Sequence, residues 1–260
     1  MDLDTLLNKN QKEAATYLDS HLRIIAGAGS GKTRVVTYRI AHLIQDIGID
    51  PRSILAITFT NKAANEMKER VNEVVGIHGS GTLICTIHSL CVRLLRQHIN
   101  VLNYPSNFTI MDEEDQKALI KKLYTQLEID AKVISIKSMI NTISSYKTAR
   151  VSPQRAIELA GQFSGELKKA KVYEAYENYK EDHFLLDFDD LLLKAVYILD
   201  NYPDILEKWQ RKFQYIHVDE FQDVDPIQYG IIKLLTGKNT HLCVVGDPDQ
   251  TIYTWRGASV

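Results

Sequence analysis

Residues 26–33 read AGAGSGKT, and this stretch decides how the sequence around it is interpreted. It lies between an apolar run and a helical pattern, the strand-to-helix context in which such a loop binds phosphate. Its glycines let backbone N–H groups turn toward an anion, and the following helix N-terminus adds a favourable dipole. The Lys32 ammonium is suited to β- and γ-phosphates, and the Thr33 hydroxyl to Mg²⁺. The stretch predicts a nucleoside triphosphate site formed by Ala28, Gly29, Ser30, Gly31, Lys32 and Thr33.

Short apolar runs alternate with helical patterns on both sides of this loop. Their near-continuous apolar character is typical of parallel strands covered on both faces, and the alternation predicts a doubly wound α/β domain. The predicted strands are 21–29, 53–60, 82–89, 213–220 and 241–247. The predicted helices are 31–47, 61–75, 89–100 and 226–236.

The alternation fails between residues 108 and 185, where the sequence reads as helices only. DEEDQKALIKKLYTQL, which begins at Asp112, has an N-cap residue followed by acids in its first turn. We therefore expect a helical insertion at 108–185 that divides an α/β domain into 1–107 and 186–260.

Composition excludes several classes of protein. With 45% hydrophobic and 25% charged residues the chain resembles an ordinary globular protein, and its net charge of −2 excludes nucleic-acid binding by bulk positive charge. Three cysteines are too few for a disulfide framework, and the polar N-terminus is no signal peptide, so a cytoplasmic location is expected. Residues 131–171 hold eight Lys/Arg against two acids, a stretch that fits phosphate contact or a solvated helical face.

The second site signal is VDEFQDVD at 218–225, which ends another predicted strand. Ligands of parallel sheets bind at the carboxyl ends of strands, so these acids are expected at the edge that carries the phosphate loop. Asp219 is suited to holding Mg²⁺, and Glu220 to orienting and deprotonating the water that attacks a γ-phosphate. Together with AGAGSGKT, the pair predicts hydrolysis as well as binding.

Seven segments, taken in chain order, resemble the motifs of one protein family. They are LLNKNQKEA (6–14), AGAGSGKT (26–33), TFTNKAANEMKERV (58–71), TIHSL (86–90), DFDDLL (187–192), VDEFQDVD (218–225) and VVGDPDQTIYTWRGA (244–258). On these segments the chain resembles the N-terminal part of the UvrD/PcrA/Rep group of superfamily 1 helicases. The resemblance implies a RecA-like P-loop NTPase domain and an ATP-dependent 3′–5′ DNA helicase acting in repair or replication, with ATP and Mg²⁺ as ligands.

The resemblance also implies roles around the nucleotide. The side-chain amide of Gln11 is expected to pair with adenine, which favours ATP over GTP. Arg34 is expected beside the base or the phosphates. Gln250 is expected to bond the γ-phosphate and report its loss.

A third set of residues is implied to contact single-stranded and junction DNA without sequence specificity. Phe59 is expected to stack a base, and Trp255, with Tyr253, to form a second stacking platform. Other residues are expected to contact the DNA backbone: Thr60, Asn61, Lys62, Thr86 and His88. For the segment at 59–62 the alternative is structural, with Asn61 as a helix cap and Phe59 in the core. For Thr86 and His88, Ile87 stands where the family usually has an aromatic residue, which weakens the assignment of these two residues to DNA.

Other functions stay open beside a helicase or translocase. A helicase–nuclease subunit of the AddA or RecB type shares these motifs, and half a motor can also serve as a non-catalytic DNA-binding protein. The compact insertion and the match at 58–71 favour a helicase or translocase. Family members continue with a second RecA-like domain, which is expected to be absent here. We therefore expect this chain to bind ATP–Mg²⁺ weakly, to hydrolyse it slowly and to need the missing C-terminal half for unwinding.

Overall fold

The structure, a computed structural model, describes residues 1–27, 29–247 and 249. The chain divides into two compact units, the first formed by Met1–Arg93 with Val196–Val260 and the second by Leu94–Ala195. The narrower insertion expected at 108–185 stays a prediction. None of the described helices combines the length and the hydropathy that a membrane span requires.

In the first unit strands and helices mostly alternate, as the sequence predicts, whereas α6 to α9 follow one another without a strand between them. The strands are β1 (Leu22–Ile25), β2 (Ile54–Thr58), β3 (Leu83–Thr86), β4 (Thr109–Ile110), β5 (Leu185–Leu186), β6 (Tyr215–Val218) and β7 (His241–Gly246). The α-helices are α1 (Leu3–Leu6), α2 (Lys9–Thr16), α3 (Lys32–Gln45), α4 (Asn61–Val75), α5 (Ile87–His98), α6 (Glu113–Gln126), α7 (Ile136–Thr148), α8 (Pro153–Ala160), α9 (Ser164–Asp182), α10 (Phe188–Asn201), α11 (Pro203–Lys212) and α12 (Pro226–Leu235). Short 3₁₀ helices occupy Pro51–Ser53, Gly76–Gly79, Ile99–Leu102 and Phe221–Asp223.

The first unit is built on a five-stranded sheet in the order β1-β7-β6-β2-β3, and every strand pair in it is parallel. The register places Ile57 opposite Val218 and Val218 opposite Val244, so the strands end at one edge. β2 and β6 are buried at every residue, as expected for central strands covered on both faces. The predicted α/β class with a parallel sheet is confirmed.

Helices α3 and α4 supply much of the core of this unit. Val36 and Ile40 from α3 and Met67 and Val71 from α4 lie in one buried cluster with residues of β2 and β7. They recur at intervals of four residues, which puts them on one face of each helix. The core therefore fixes the two helices against the sheet and leaves the strand ends to carry polar residues.

All five expected strands are longer in prediction than in the structure, and two of them show the difference most clearly at their carboxyl ends. The strand expected at 21–29 ends at Ile25, before the glycine-rich turn. The strand expected at 82–89 ends at Thr86, and α5 begins at Ile87, so the strand assignment of the last three residues is wrong. The reason is local: the Thr86 hydroxyl accepts a hydrogen bond from Ser89 N at 3.2 Å and thereby begins a helix.

The second unit is mainly helical. Asp112 caps α6 through a reciprocal hydrogen-bond pair with Asp115, and acids fill the first helical turn, as the sequence predicts. The expectation of helices alone is wrong in one detail, because β4 and β5 pair in parallel. Each is only two residues long, too short to leave a periodic pattern in the sequence.

Candidate functional site

The phosphate loop joins β1 to α3, as the sequence predicts. Gly31 is the N-cap of α3, with φ 83° in the left-handed region that favours glycine. A Cβ at this position would also lie 3.0 Å from the Gln11 amide nitrogen, so a larger residue would have to shift the Gln11 side chain. The Lys32 ammonium donates to the Ala26 carbonyl at 3.2 Å. Lys32 thus makes a hydrogen bond across its own loop.

The acidic residue at the end of β6 lies beside this loop. The Thr33 hydroxyl donates a hydrogen bond of 3.0 Å to Oδ2 of Asp219. Burial raises the pKa of Asp219 and the Glu220 charge adds to the rise, while the hydrogen bond from Thr33 acts against it. A buried carboxylate beside a hydroxyl is the hard-oxygen donor set that Mg²⁺ prefers, so the residues fit the metal expected here.

Glu220 stands next to Asp219 in an unusual backbone conformation. Its φ of 50° and ψ of 46° are left-handed values that cost a non-glycine residue about 1–3 kcal/mol. Its N–H donates to Oδ1 of Asp219 at 3.0 Å, and its Oε2 accepts a hydrogen bond of 2.6 Å from the Gln222 amide. Strain of this kind, held by neighbouring hydrogen bonds, often occurs at functional positions.

Gln11, predicted to pair with adenine, and Arg34, predicted beside the base or the phosphates, both contact other parts of the protein. The Gln11 amide nitrogen donates to the Ser30 carbonyl at 2.8 Å, and its oxygen accepts from Asn8 N at 3.0 Å. The Arg34 guanidinium donates to the Leu6 carbonyl at 2.9 Å and lies over the Tyr38 ring. Both residues therefore lie next to the loop, and reading adenine would require Gln11 to exchange these contacts for the base.

The first group of predicted DNA contacts follows β2. Phe59 is half-buried, whereas Thr60, Asn61 and Lys62 are exposed. The cap of α4 is Thr60, whose hydroxyl accepts from Ala63 N at 3.1 Å, so the alternative of an Asn61 cap is wrong. Asn61 and Lys62 keep their polar groups at the surface.

The second group follows β3. The Thr86 hydroxyl bonds both the N–H and the hydroxyl of Ser89, and only 9% of Thr86 is exposed, so this side chain has a structural task at the start of α5. His88 is half-buried and lines a small pocket of about 100 Å³. Phe59 and Asp219 line the same pocket, which therefore joins the two predicted ligand regions of the first unit.

Four predicted residues lie outside the described part of the chain: Ala28, Gln250, Tyr253 and Trp255.

Sequence reasoning missed Gln222, which contacts both Glu220 and the end of β7. Its only signal was a polar residue two positions after Glu220 in VDEFQDVD. The sequence analysis also assigned no role to the acidic residues of DFDDLL (187–192). In the second unit Asp187 and Asp190 are buried with the ammonium groups of Lys147 and Lys180.

The sequence is similar to those of known proteins over nearly its whole length. The sequence profile described as "UvrD/REP helicase N-terminal domain" matches residues 7–260. The chain is 44% identical over 254 residues to the "ATP-dependent DNA helicase PcrA" of Staphylococcus aureus, a match covering 98% of this chain and 35% of that protein. It is 45% identical over the same length to the protein of that name from Staphylococcus epidermidis, again with 98% and 35% covered. The chain thus spans about a third of the length of these relatives, and it belongs to the UvrD/REP helicase N-terminal domain family.

Proposed function

We propose that this chain is the ATP-binding part of an ATP-dependent DNA helicase or translocase that moves 3′–5′ on single-stranded DNA in repair or replication. The observation that carries the proposal is the hydrogen bond between Thr33 and Asp219, which brings the phosphate loop and the acidic strand end into one site. Two relatives of the same family carry the name ATP-dependent DNA helicase, which supports the choice of reaction.

ATP binding would be performed by the loop and its lysine. The backbone N–H groups at the start of α3 would bind the phosphates, and the Lys32 ammonium would leave the Ala26 carbonyl for the β- and γ-phosphates. Thr33 and Asp219 would hold Mg²⁺, which supplies charge neutralisation on the phosphate oxygens when bound. Glu220 would orient the attacking water and accept its proton.

DNA binding would use the residues after β2 and β3. The exposed Thr60, Asn61 and Lys62 offer hydroxyl, amide and ammonium donors, which suit phosphate oxygens and carry no base specificity. Phe59 is the proposed stacking residue on the described side of this surface. The proposal for Trp255 and Tyr253 rests on the motif at 244–258.

The test is the turnover of radiolabelled ATP with and without single-stranded DNA, alongside DNA binding by fluorescence anisotropy. We expect Lys32→Ala to abolish DNA-stimulated hydrolysis while DNA binding persists. Lys9→Ala is the matched control, since this exposed lysine begins α2 outside the phosphate loop, and it should hydrolyse normally. Equal turnover in the Lys32→Ala and unaltered chains, even with a second RecA-like domain supplied in trans, would contradict the motor and leave a DNA-binding module.

A further inference from the structure

Gln222 occupies a buried position between two strand ends of the first unit. Only 6% of its surface is exposed. Its amide nitrogen donates to Oε2 of Glu220 at 2.6 Å, and its amide oxygen accepts from Asp247 N at 3.0 Å. One side chain therefore joins the residue after β6 and the residue after β7.

The chemistry of the two partners fixes the orientation of this amide. A backbone N–H can only donate, so the atom that faces Asp247 must be the carbonyl oxygen. The NH₂ group is thereby directed at Glu220, whose Oε2 accepts its hydrogen bond. Each end of the amide specifies the other, and no other residue type of this length offers one donor and one acceptor in this way.

Gly246, at the end of β7, lets the Gln222 side chain lie close to the backbone of that strand. A Cβ at Gly246 would lie 2.7 Å from Oε1 of Gln222, and 3.3 Å from its backbone nitrogen. The first distance is shorter than any ordinary contact, so a larger residue at 246 would displace the Gln222 amide. Gly246 thus makes room for the bridge.

The bridge continues along the chain beyond β7. Oδ1 of Asp247 accepts from Asp249 N at 3.1 Å. Hydrogen bonds therefore run from Glu220 through Gln222 and Asp247 to the residue that precedes Gln250 in the sequence.

We propose that Gln222 is a positioning residue for ATP hydrolysis: its amide holds the Glu220 carboxylate in place and ties it to the segment after β7. The inference rests on the proposed function, in which Glu220 activates water. Gln222 itself need touch neither nucleotide nor DNA. Its loss should therefore slow the reaction and leave ATP binding nearly intact, the behaviour of a group that acts on the transition state through another residue.

The first experiment measures kcat and KM for ATP in the presence of saturating single-stranded DNA. Gln222→Met preserves the side-chain length and removes both hydrogen bonds. We expect kcat to fall about 10- to 100-fold, as for removal of a group that orients a reacting ligand, and KM to change less than about twofold. Gln222→Glu keeps the acceptor for Asp247 N but, when ionised, cannot donate to Glu220, so it should lower kcat as well.

A matched control separates this effect from the loss of any glutamine. Gln210 is half-buried in the same unit, and its amide donates to the Leu234 carbonyl at 2.7 Å. Gln210→Met should leave kcat and KM unchanged. Thermal unfolding of each variant is recorded so that rates are compared between folded proteins.

A double-mutant cycle with Gly246 tests whether the bridge is the cause. Gly246→Ala should lower kcat in the unaltered chain, because its methyl group displaces the Gln222 amide. In a Gln222→Ala background the space is vacated, so the same change should cost much less. Equal losses in both backgrounds would contradict the bridge.

The outcomes distinguish the two proposals. If Lys32→Ala abolishes hydrolysis but Gln222→Met turns over at the native rate, the positioning role is wrong and the proposed function stands. A raised KM with native kcat would also overturn the positioning role. If Lys32→Ala itself hydrolyses ATP normally, the proposed function fails first.

Discussion

The Thr33 hydroxyl and Oδ2 of Asp219 lie 3.0 Å apart and share a hydrogen bond, although 186 positions separate the two residues in the sequence. Thr33 follows β1, and Asp219 follows β6, with β7 between these strands in the sheet. All three strands run parallel, so their ends deliver both side chains to one edge. The contact is the physical basis for our proposal that the two distant motifs form one metal–nucleotide site.

Removing the hydroxyl should weaken metal-dependent binding. We expect Thr33→Ala to reduce ATP affinity about tenfold in Mg²⁺, a loss of about 1.4 kcal/mol, and to have little effect in EDTA. Thr33→Ser keeps the hydroxyl and is the matched control, expected within about twofold of the native affinity. Calorimetric titration measures both. An equal loss in Mg²⁺ and in EDTA would show that Thr33 does not serve the metal.

The role of Gln11 can be tested by nucleotide selectivity. We expect Gln11→Ala to weaken ATP binding more than GTP binding, because only adenine presents the N6 donor and N7 acceptor that an amide can pair. The competing outcome follows from its bond to the Ser30 carbonyl. If ATP and GTP affinities fall by the same factor, Gln11 supports the loop and does not read the base.

Parts of this site follow from sequence because local rules act there. The loop at 26–33, like the helix cap at Asp112 in the second unit, depends on residues within a few positions of one another. Hydrogen bonds between side chains on different strands cannot be predicted from such local patterns. Gln222 looks like any surface glutamine until the fold places Asp247 N beside it. The role of Asp187 and Asp190 in DFDDLL likewise becomes visible only in the structure, where they form ion pairs with Lys147 and Lys180.

The buried ion cluster of the second unit gives a stability prediction. Lys180 is 2% exposed and contacts Glu177, Asp187 and Asp190. Burial lowers the pKa of Lys180, but the three carboxylates outweigh it and raise the pKa overall. Lys180→Met would leave buried carboxylates short of a partner, which costs about 3–5 kcal/mol.

Urea unfolding followed by far-ultraviolet circular dichroism measures this loss. Lys169→Met is the matched control, because Lys169 pairs with Glu166 at the surface of the same unit. Exposed pairs contribute at most about 1 kcal/mol, so this variant should unfold close to the native curve. Similar losses for both lysines would refute a structural role for the cluster.

His217 gives a prediction for the pH dependence of stability. Burial lowers the pKa of His217 to about 3, and the positive charge of Arg39 contributes to the shift. In the unfolded chain its pKa is about 6.5, so acid protonates the unfolded state first. The contribution of neutral, buried His217 to the free energy of unfolding is therefore complete above about pH 6.5. It is lost as pH falls toward 3, by up to about 1.4 kcal/mol per pH unit.

His217→Leu should remove this part of the pH dependence. The free energy of unfolding is measured by urea titration between pH 7 and pH 5 and followed by fluorescence, since Trp209 is buried in the same unit. We expect the native chain to lose stability across this interval and the variant to lose clearly less. An identical loss in both would mean that another group is responsible.

The most direct measurement is a crystal structure of this chain with Mg²⁺ and a non-hydrolysable ATP analogue. We expect a metal bound about 2.0–2.1 Å from the Thr33 hydroxyl oxygen and coordinated by Asp219 directly or through water. Lys32 should have left the Ala26 carbonyl for the phosphates, with Glu220 facing the terminal phosphate. A nucleotide bound away from the glycine turn, or a metal remote from both Thr33 and Asp219, would contradict the account.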